Sequence, residues 1–194
     1  MNPIDYAIDA AGWCAAAARQ PSPNCDARPE GMEIDLLVVH NISLPAGKFG
    51  TPYIYELFSN RLDPAAESGF AELAGLRVSS HFLVARDGRL TQFVSTHERA
   101  WHAGLSSHRG RERCNDFSIG IELEGSDDAA FEDGQYSVLA GLTEALAAAH
   151  PLRWVAGHEH IAPGRKTDPG PHFDWARYHA LLGQTSRGKL HFPA

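Results

Sequence analysis

From residue 157 the chain reads Gly157-His158-Glu159-His160-Ile161-Ala162-Pro163-Gly164-Arg165-Lys166-Thr167-Asp168-Pro169-Gly170-Pro171. Two imidazoles, two carboxylates and two cations are packed between turn-forming residues. The Pro and Gly steps argue against a regular helix or strand through this segment. A loop this polar and this constrained needs something to hold it. One candidate is a metal ion: zinc accepts imidazole nitrogen and carboxylate oxygen, and a catalytic site keeps one position open for water. His158 and Asp168, ten residues apart, are the candidate ligands in the loop. If the segment is extended, His160 points away from His158 and is not a ligand. The other reading of the loop is a solvated, His-rich turn, and His160 and His172 fit it as well. Two ligands are too few for zinc. The best candidate for a third is His40, where the apolar run Leu36-Leu37-Val38-Val39 stops at His40-Asn41.

That run, with Ile34 and Asp35 before it, predicts a strand buried on both faces, central in a sheet. Two further runs, 81–85 and 90–94, flank Asp87-Gly88 and predict a hairpin, because Asp-Gly supplies positive φ. His81, at the start of the first, reads as a half-buried strand histidine. Phe117 to Gly125 is a strand with Glu122 and Glu124 on one face and Ile121 and Leu123 on the other. Two carboxylates on a core strand are costly if buried alone, so at least one should face a polar cleft. Residues 134–150 form the clearest helix, with Tyr136, Leu139, Leu142 and Leu146 on one face, Asp133 as its cap and Pro151 beyond its end. Residues 52–60 predict a short helix, Asp63-Pro64 another start, and 154–156 a short strand leading to His158. A last helix follows Asp174, with Gly183 as its stop. The segment 1–33, rich in turn residues, reads as an irregular lead-in held by Trp13. Residues 185–194 read as a loose tail.

At 194 residues the whole chain fits one domain. Its formal net charge of −7 argues against a nucleic-acid or anionic-membrane binder. No run approaches the ~18 apolar residues of a membrane helix. The mildly apolar stretch 10–18 lacks both a preceding cation and a Leu-rich core, so export is not expected. Cys14, Cys25 and Cys114 follow no CxxC spacing, which suggests reduced thiols in the cytoplasm.

His40-Asn41, Trp101 to Gly104, Asn115 to Gly125 and the loop from Gly157 together resemble the zinc-dependent type 2 N-acetylmuramoyl-L-alanine amidases. That family includes phage T7-type lysozymes and peptidoglycan recognition proteins. The resemblance runs from about Gly12-Trp13 to Trp175-Ala176-Arg177, most of the chain. It implies an α/β fold with a central mixed sheet flanked by helices, and one catalytic zinc per chain. His40, His158 and Asp168 match the family's zinc ligands; Glu122 and Lys166 match its catalytic residues. Phage-type members carry Cys where Asp168 stands, so the chain resembles the cytoplasmic branch that recycles cell wall. The implied substrate is a 1,6-anhydromuropeptide, cut between the lactyl group of N-acetylmuramic acid and L-alanine. By clearing such muropeptides, that branch restrains β-lactamase induction in some bacteria. The N-terminus reads as a few residues longer than the family pattern.

The chemistry is coherent apart from the resemblance. Zinc lowers the pKa of bound water to about 7 and polarises a carbonyl. A carboxylate such as Glu122 can move the proton, and Lys166 can stabilise an oxyanion. Asn41, Arg77, Trp101, His102, Arg113 and Arg165 are the candidates for substrate contact; the guanidiniums suit carboxylates. A muropeptide-binding module without metal is the competing class, but it has no need of two His, an Asp, a Glu and a Lys in these blocks. A peptidase of the HExxH type is excluded, since His158-Glu159-His160 lacks that spacing. The expected state is a monomer acting on a small molecule.

Overall fold

The computed structural model describes residues 4–193. In chain order its strands are β1 (Ala18–Arg19), β2 (Cys25–Ala27), β3 (Leu36–Ile42), β4 (Phe82–Val84), β5 (Leu90–Gln92), β6 (Glu98–Ala100), β7 (Ser107–His108), β8 (Arg111–Glu112), β9 (Ser118–Glu124) and β10 (Trp154–Gly157). Its helices are α1 (Tyr53–Phe58), α2 (Asp133–Ala149), α3 (His158–Ile161), α4 (Trp175–Leu181) and α5 (Gln184–Lys189), with two short 3-10 turns. Six strands form one mixed sheet in the order β1-β5-β4-β9-β3-β10. Strands β4, β9, β3 and β10 run parallel, and β5 joins β4 antiparallel. The apolar run from Leu36 to Val39 is fully buried, as its composition requires of an inner strand.

The alternation along β3 and β9 divides the core. Leu37, Val39, Ile119, Ile121 and Leu123 face α2, whose Leu139, Leu142 and Leu146 pack on them. Leu36 and Val38 face the other way, against Ala103, Cys114, Phe117 and Ile161. Helix α2 begins one residue earlier than its apolar period suggests. Glu132, not Asp133, is its cap: Glu132 and Gln135 form a capping box, while Asp133 pairs with Arg177 at 2.7 Å. Helix α4 lies against α2 through a hydrogen bond between the Tyr178 hydroxyl and Thr143 Oγ1, 2.6 Å. Asp174 caps α4 by accepting from the Arg177 amide.

Several expectations need correction. The loop from Gly157 is not irregular throughout: His158–Ile161 makes one turn of helix before Pro163 and Gly164 end it. Asp63-Pro64 starts no helix; the chain makes a 3-10 turn later, at Phe70–Leu73. Residues 185–193 are not loose. They begin in α5, capped by Gly183, and Leu190 is buried beneath the edge of β10, where His191 bridges to Trp154. The lead-in 4–33 is tied to the rest of the chain by Cys14, Asn24 and Arg28, and the Trp13 ring lies under Arg19 of the same segment. The Cys14 amide donates to Gln92 Oε1 at 2.7 Å and its thiol is buried in the main core. The lead-in also contributes β1 and β2.

His150, just past α2, sits 8% exposed with Nε2 2.9 Å from Thr96 Oγ1. Burial, aided by nearby His97 and Arg28, lowers its pKa to about 4. The unfolded chain then binds a proton that the folded chain refuses between about pH 6.5 and about 4. Stability should therefore fall with pH across that window, and His150→Gln, which keeps a donor toward Thr96, should flatten this part of the profile. Urea unfolding of both proteins at pH 7 and pH 5 checks it; equal pH dependence would contradict it.

Candidate metal centre

The register of three adjacent strands builds the site. His40 stands opposite Glu122 across β3 and β9, and Gly157 stands opposite Val39 across β10 and β3. The residue after Gly157 is His158, so His158, His40 and Glu122 line up at the C-terminal ends of parallel strands. Such ends are where open α/β sheets place ligands. Asp168 returns to this row because the loop folds back: the Glu159 amide donates to the Asp168 carbonyl at 2.9 Å.

The three candidate ligands converge. His40 Nδ1 lies 3.0 Å from His158 Nδ1 and 2.9 Å from Asp168 Oδ2, and His158 Nδ1 lies 3.1 Å from the same oxygen. His158 Nε2 is 3.0 Å from the Ala103 carbonyl, which only accepts, so Nε2 is the donor there and Nδ1 is the nitrogen turned toward His40 and Asp168. His40 Nε2 is likewise engaged outward, 2.9 Å from His102 Nδ1. Ligands about 2.0–2.1 Å from a tetrahedral zinc stand about 3.3 Å from one another. A triangle with edges of 2.9–3.1 Å is close to that spacing. The residues present thus fit a small cation, and His40, His158 and Asp168 form a group that could hold one.

Electrostatics agree with the geometry. Burial pushes the Asp168 carboxyl up, but the polar contacts with His158 and His40, which lower it when those rings carry the protons, outweigh burial and hold it well below the usual range. Burial lowers His40, opposed by Asp168. Glu122 is pushed far above the ordinary carboxylate range by burial and then by the charge of Asp168, with Lys166 opposing. Its Oε2 is buried with no hydrogen-bond partner, a costly state. Glu124 differs: its carboxylate accepts from the Gly50 and Arg86 amides and ties two loops to the sheet.

A cleft of about 840 Å³ opens beside this row, lined by Asn41, Ser43, Phe49, Asp127, Lys166 and Asp168 among others. Asn41 reaches it, although its Nδ2 is already donating to Asp127 Oδ1 and the Pro169 carbonyl. Arg165 also lines it, but one guanidinium nitrogen is spent on the Ala103 and Leu105 carbonyls. Arg77 and Trp101 do not line this cleft. Arg77 borders a separate small depression with Leu57 and Phe70, and Trp101 Nε1 donates to Asp26. Arg113, near Arg165, borders a neighbouring depression. His102 lies behind His40, its ring over Gly120. His160 is not part of the cluster. Its Nδ1 accepts from the Gly157 amide and its ring meets Trp175 edge to face, an arrangement set by the helical turn and not by an extended segment. His81 is a core histidine, accepting from the Gly120 amide.

Sequence reasoning had no means to find Ala103, which acts through its carbonyl, or Asn115, whose Oδ1 accepts from the His102 and Ala103 amides at 3.1 and 2.8 Å. Asn115 lies within a motif block, and that was its only signal.

Residues 30–171 match the family model described as N-acetylmuramoyl-L-alanine amidase. The chain belongs to the N-acetylmuramoyl-L-alanine amidase family. A relative from Citrobacter freundii, the 1,6-anhydro-N-acetylmuramyl-L-alanine amidase AmpD, is 55% identical over 181 residues, covering 92% of this chain and 97% of that protein. A crystal structure of a selenomethionine AmpD derivative superposes with a TM-score of 0.85 at 56% identity, covering 89% of this chain and 98% of that one. The Escherichia coli amidase AmiD, solved with anhydro-N-acetylmuramic acid-L-Ala-D-gamma-Glu-L-Lys, matches at 31% identity and a TM-score of 0.59, over 80% of this chain and 61% of that one. The expected α/β amidase fold and enzyme class are therefore those of this chain.

The amidase's Arg165 is linked to the His40–His158–Asp168 cluster through the 103–105 loop. Arg165→Ala should leave the Leu105 carbonyl without its donor and the Ala103 carbonyl with His158 alone. Faster amide hydrogen exchange confined to residues near 103–106, with little change in the sheet, is the expected result, read by exchange mass spectrometry. Unchanged exchange there would show that the loop holds itself.

Proposed function

We propose that this amidase holds one zinc ion at His40, His158 and Asp168. With it the enzyme hydrolyses the amide between the lactyl group of 1,6-anhydro-N-acetylmuramic acid and L-alanine of the stem peptide. The observation that carries this reading is the convergence of Nδ1, Nδ1 and Oδ2 within 3.1 Å of one another, beside a buried carboxylate with an unpartnered oxygen. The substrate is suggested by the relatives: the AmpD proteins are named for this bond, and AmiD was solved with such a muropeptide. The proposal extends to peptidoglycan recycling in the cytoplasm as a monomer, and to a resulting restraint on β-lactamase induction. The free thiols of Cys14, Cys25 and Cys114 suit a reducing compartment. No helix among the described residues is long and apolar enough to cross a membrane.

When bound, zinc supplies a Lewis acid for the amide carbonyl and brings the pKa of water to about 7. Glu122 accepts a proton from the attacking water as the new C–O bond forms. It then returns that proton to the alanine nitrogen as the C–N bond breaks. The products are a lactyl carboxylate and a free amine. A carboxylate that must both take and give a proton works best with a pKa raised toward neutrality, and burial raises Glu122. Lys166, on the wall of the cleft, faces the negative charge that grows on the carbonyl oxygen. His40 and His158 turn their Nδ1 atoms inward, where they would hold the ion.

Mass spectrometry of products from anhydro- and intact muropeptides, with and without chelator, tests the reaction. Cleavage between lactyl and alanine that chelator abolishes is expected; binding without cleavage would favour the metal-free binding module. Glu122→Ala should keep zinc and lose about 10²–10⁴ in turnover. Lys166→Ala should lose on the order of 10²–10³ in kcat with KM little changed. Wild-type turnover in the first, or a change only in KM in the second, removes that residue from its role. Metal analysis should find zinc lost from His158→Ala and kept by His160→Ala; the reverse pattern would overturn the ligand assignment.

A further inference from the structure

Sequence reasoning places His102 with the substrate contacts. The structure puts it elsewhere. Both of its ring nitrogens are committed: Nδ1 lies 2.9 Å from His40 Nε2, and Nε2 lies 3.2 Å from Ser118 Oγ. The rings of His40 and His102 meet edge to face, centroids 5.0 Å apart. Beneath His102 the sheet makes room for it. A Cβ built on Gly120 of β9 would stand 2.5 Å from His102 Cγ and 2.6 Å from its Nδ1. No side chain larger than hydrogen fits there without moving the ring. The backbone is fixed from the other side, since the His102 amide donates to Asn115 Oδ1.

We propose that His102 is a positioning residue for the metal centre: its Nδ1 accepts the Nε2 proton of His40, and thereby fixes the tautomer and ring plane of that ligand. The inference rests on the zinc reading above. The direction of the bond follows from proton counting. A His40 that gives its Nδ1 lone pair to a cation carries its only exchangeable proton on Nε2. Nε2 is then a donor, so the facing Nδ1 of His102 is the acceptor. His102 is neutral in that state, its proton sits on Nε2, and Ser118 Oγ accepts it. The chain Ser118–His102–His40 thus runs from the sheet to the metal with each hydrogen bond directed one way.

The second ligand is treated similarly by a different device. His158 Nε2 donates to the Ala103 carbonyl at 3.0 Å, and Asn115 Oδ1 holds the Ala103 amide as well as that of His102. One side chain therefore fixes the dipeptide that orients both imidazoles. Outer partners of metal-bound histidines fix the ring and raise its basicity, and their loss typically costs about 10–100-fold in metal affinity or activity.

The test uses the zinc-loaded enzyme with ¹⁵N-labelled histidine, His102→Leu and His102→Asn. Asn places an oxygen acceptor on Cγ, where histidine carries Nδ1, whereas Leu places none. Scalar coupling across the hydrogen bond between His40 Nε2 and His102 Nδ1 is expected in the parent enzyme. Chelator competition should show zinc bound about 10–100-fold more weakly by His102→Leu, and within a few-fold of the parent by His102→Asn. Absence of the coupling would overturn the proposal, as would parent-like zinc affinity in His102→Leu or a His102→Asn no better than it. Should His102→Leu fail to fold, the coupling in the parent decides. A parent enzyme that takes up no zinc at all would instead refute the metal centre itself, and this inference with it.

Discussion

Two ring nitrogens and a carboxylate oxygen brought to one point need a proton or a cation between them, and this structure brings three such atoms together. His40 Nδ1, His158 Nδ1 and Asp168 Oδ2 form a triangle with no edge longer than 3.1 Å. The surroundings oppose any retreat. His158 is held from behind by a carbonyl, and His40 by a second imidazole. Asp168 lies on a loop tied by the Glu159 amide and by Asn41. A proton on His40 Nδ1 can serve Asp168 if the outward bond reverses, His102 Nδ1 then donating to His40 Nε2. A cation would satisfy all three inward atoms with His40 Nε2 and His158 Nε2 both donating outward.

The sheet is what makes this arrangement inexpensive. Parallel pairing of β9, β3 and β10 sets Glu122, His40 and His158 side by side without a long loop having to place any of them. Leu36, Leu37, Val38 and Val39, fully buried, anchor the strand that carries His40. Fully burying a side chain of this kind contributes about 1.5–3 kcal/mol. The same burial shifts Glu122 upward and leaves its Oε2 free. Thus the cost of burying the carboxylate and the proton-moving role proposed for it have one origin.

Much of this was legible in the sequence, for identifiable reasons. The run before His40 is apolar enough to mean an inner strand, and the alternation through Glu122 and Glu124 separates the two faces of β9. The spacing of Tyr136, Leu139, Leu142 and Leu146 means α2. The loop from Gly157 and the end of the apolar run point to the three ligand candidates, and the resemblance in four blocks, in a family that matches residues 30–171, implies the same three. What was not legible depends on contacts between distant residues. No local pattern reveals that a carbonyl at Ala103 will meet His158, 55 residues on, or that Arg165 will be spent holding that loop. His102 and Gly120 look unrelated until the sheet stacks one on the other. The C-terminal segment has weak helical pattern, and its order comes from Leu190 and His191 closing over β10. His160 was set aside on a geometric argument for an extended chain, whereas the segment turns as helix and pins the ring to Trp175.

The central claim is a coordination sphere of two imidazoles and one carboxylate, with no sulfur. X-ray absorption at the zinc edge, on the enzyme loaded with one equivalent of zinc, reads it directly. The account predicts a first shell of nitrogen and oxygen at about 2.0–2.1 Å, with the outer scattering of two imidazole rings. A shell containing sulfur at about 2.3 Å, three imidazole rings, or six oxygens with no ring scattering would contradict it.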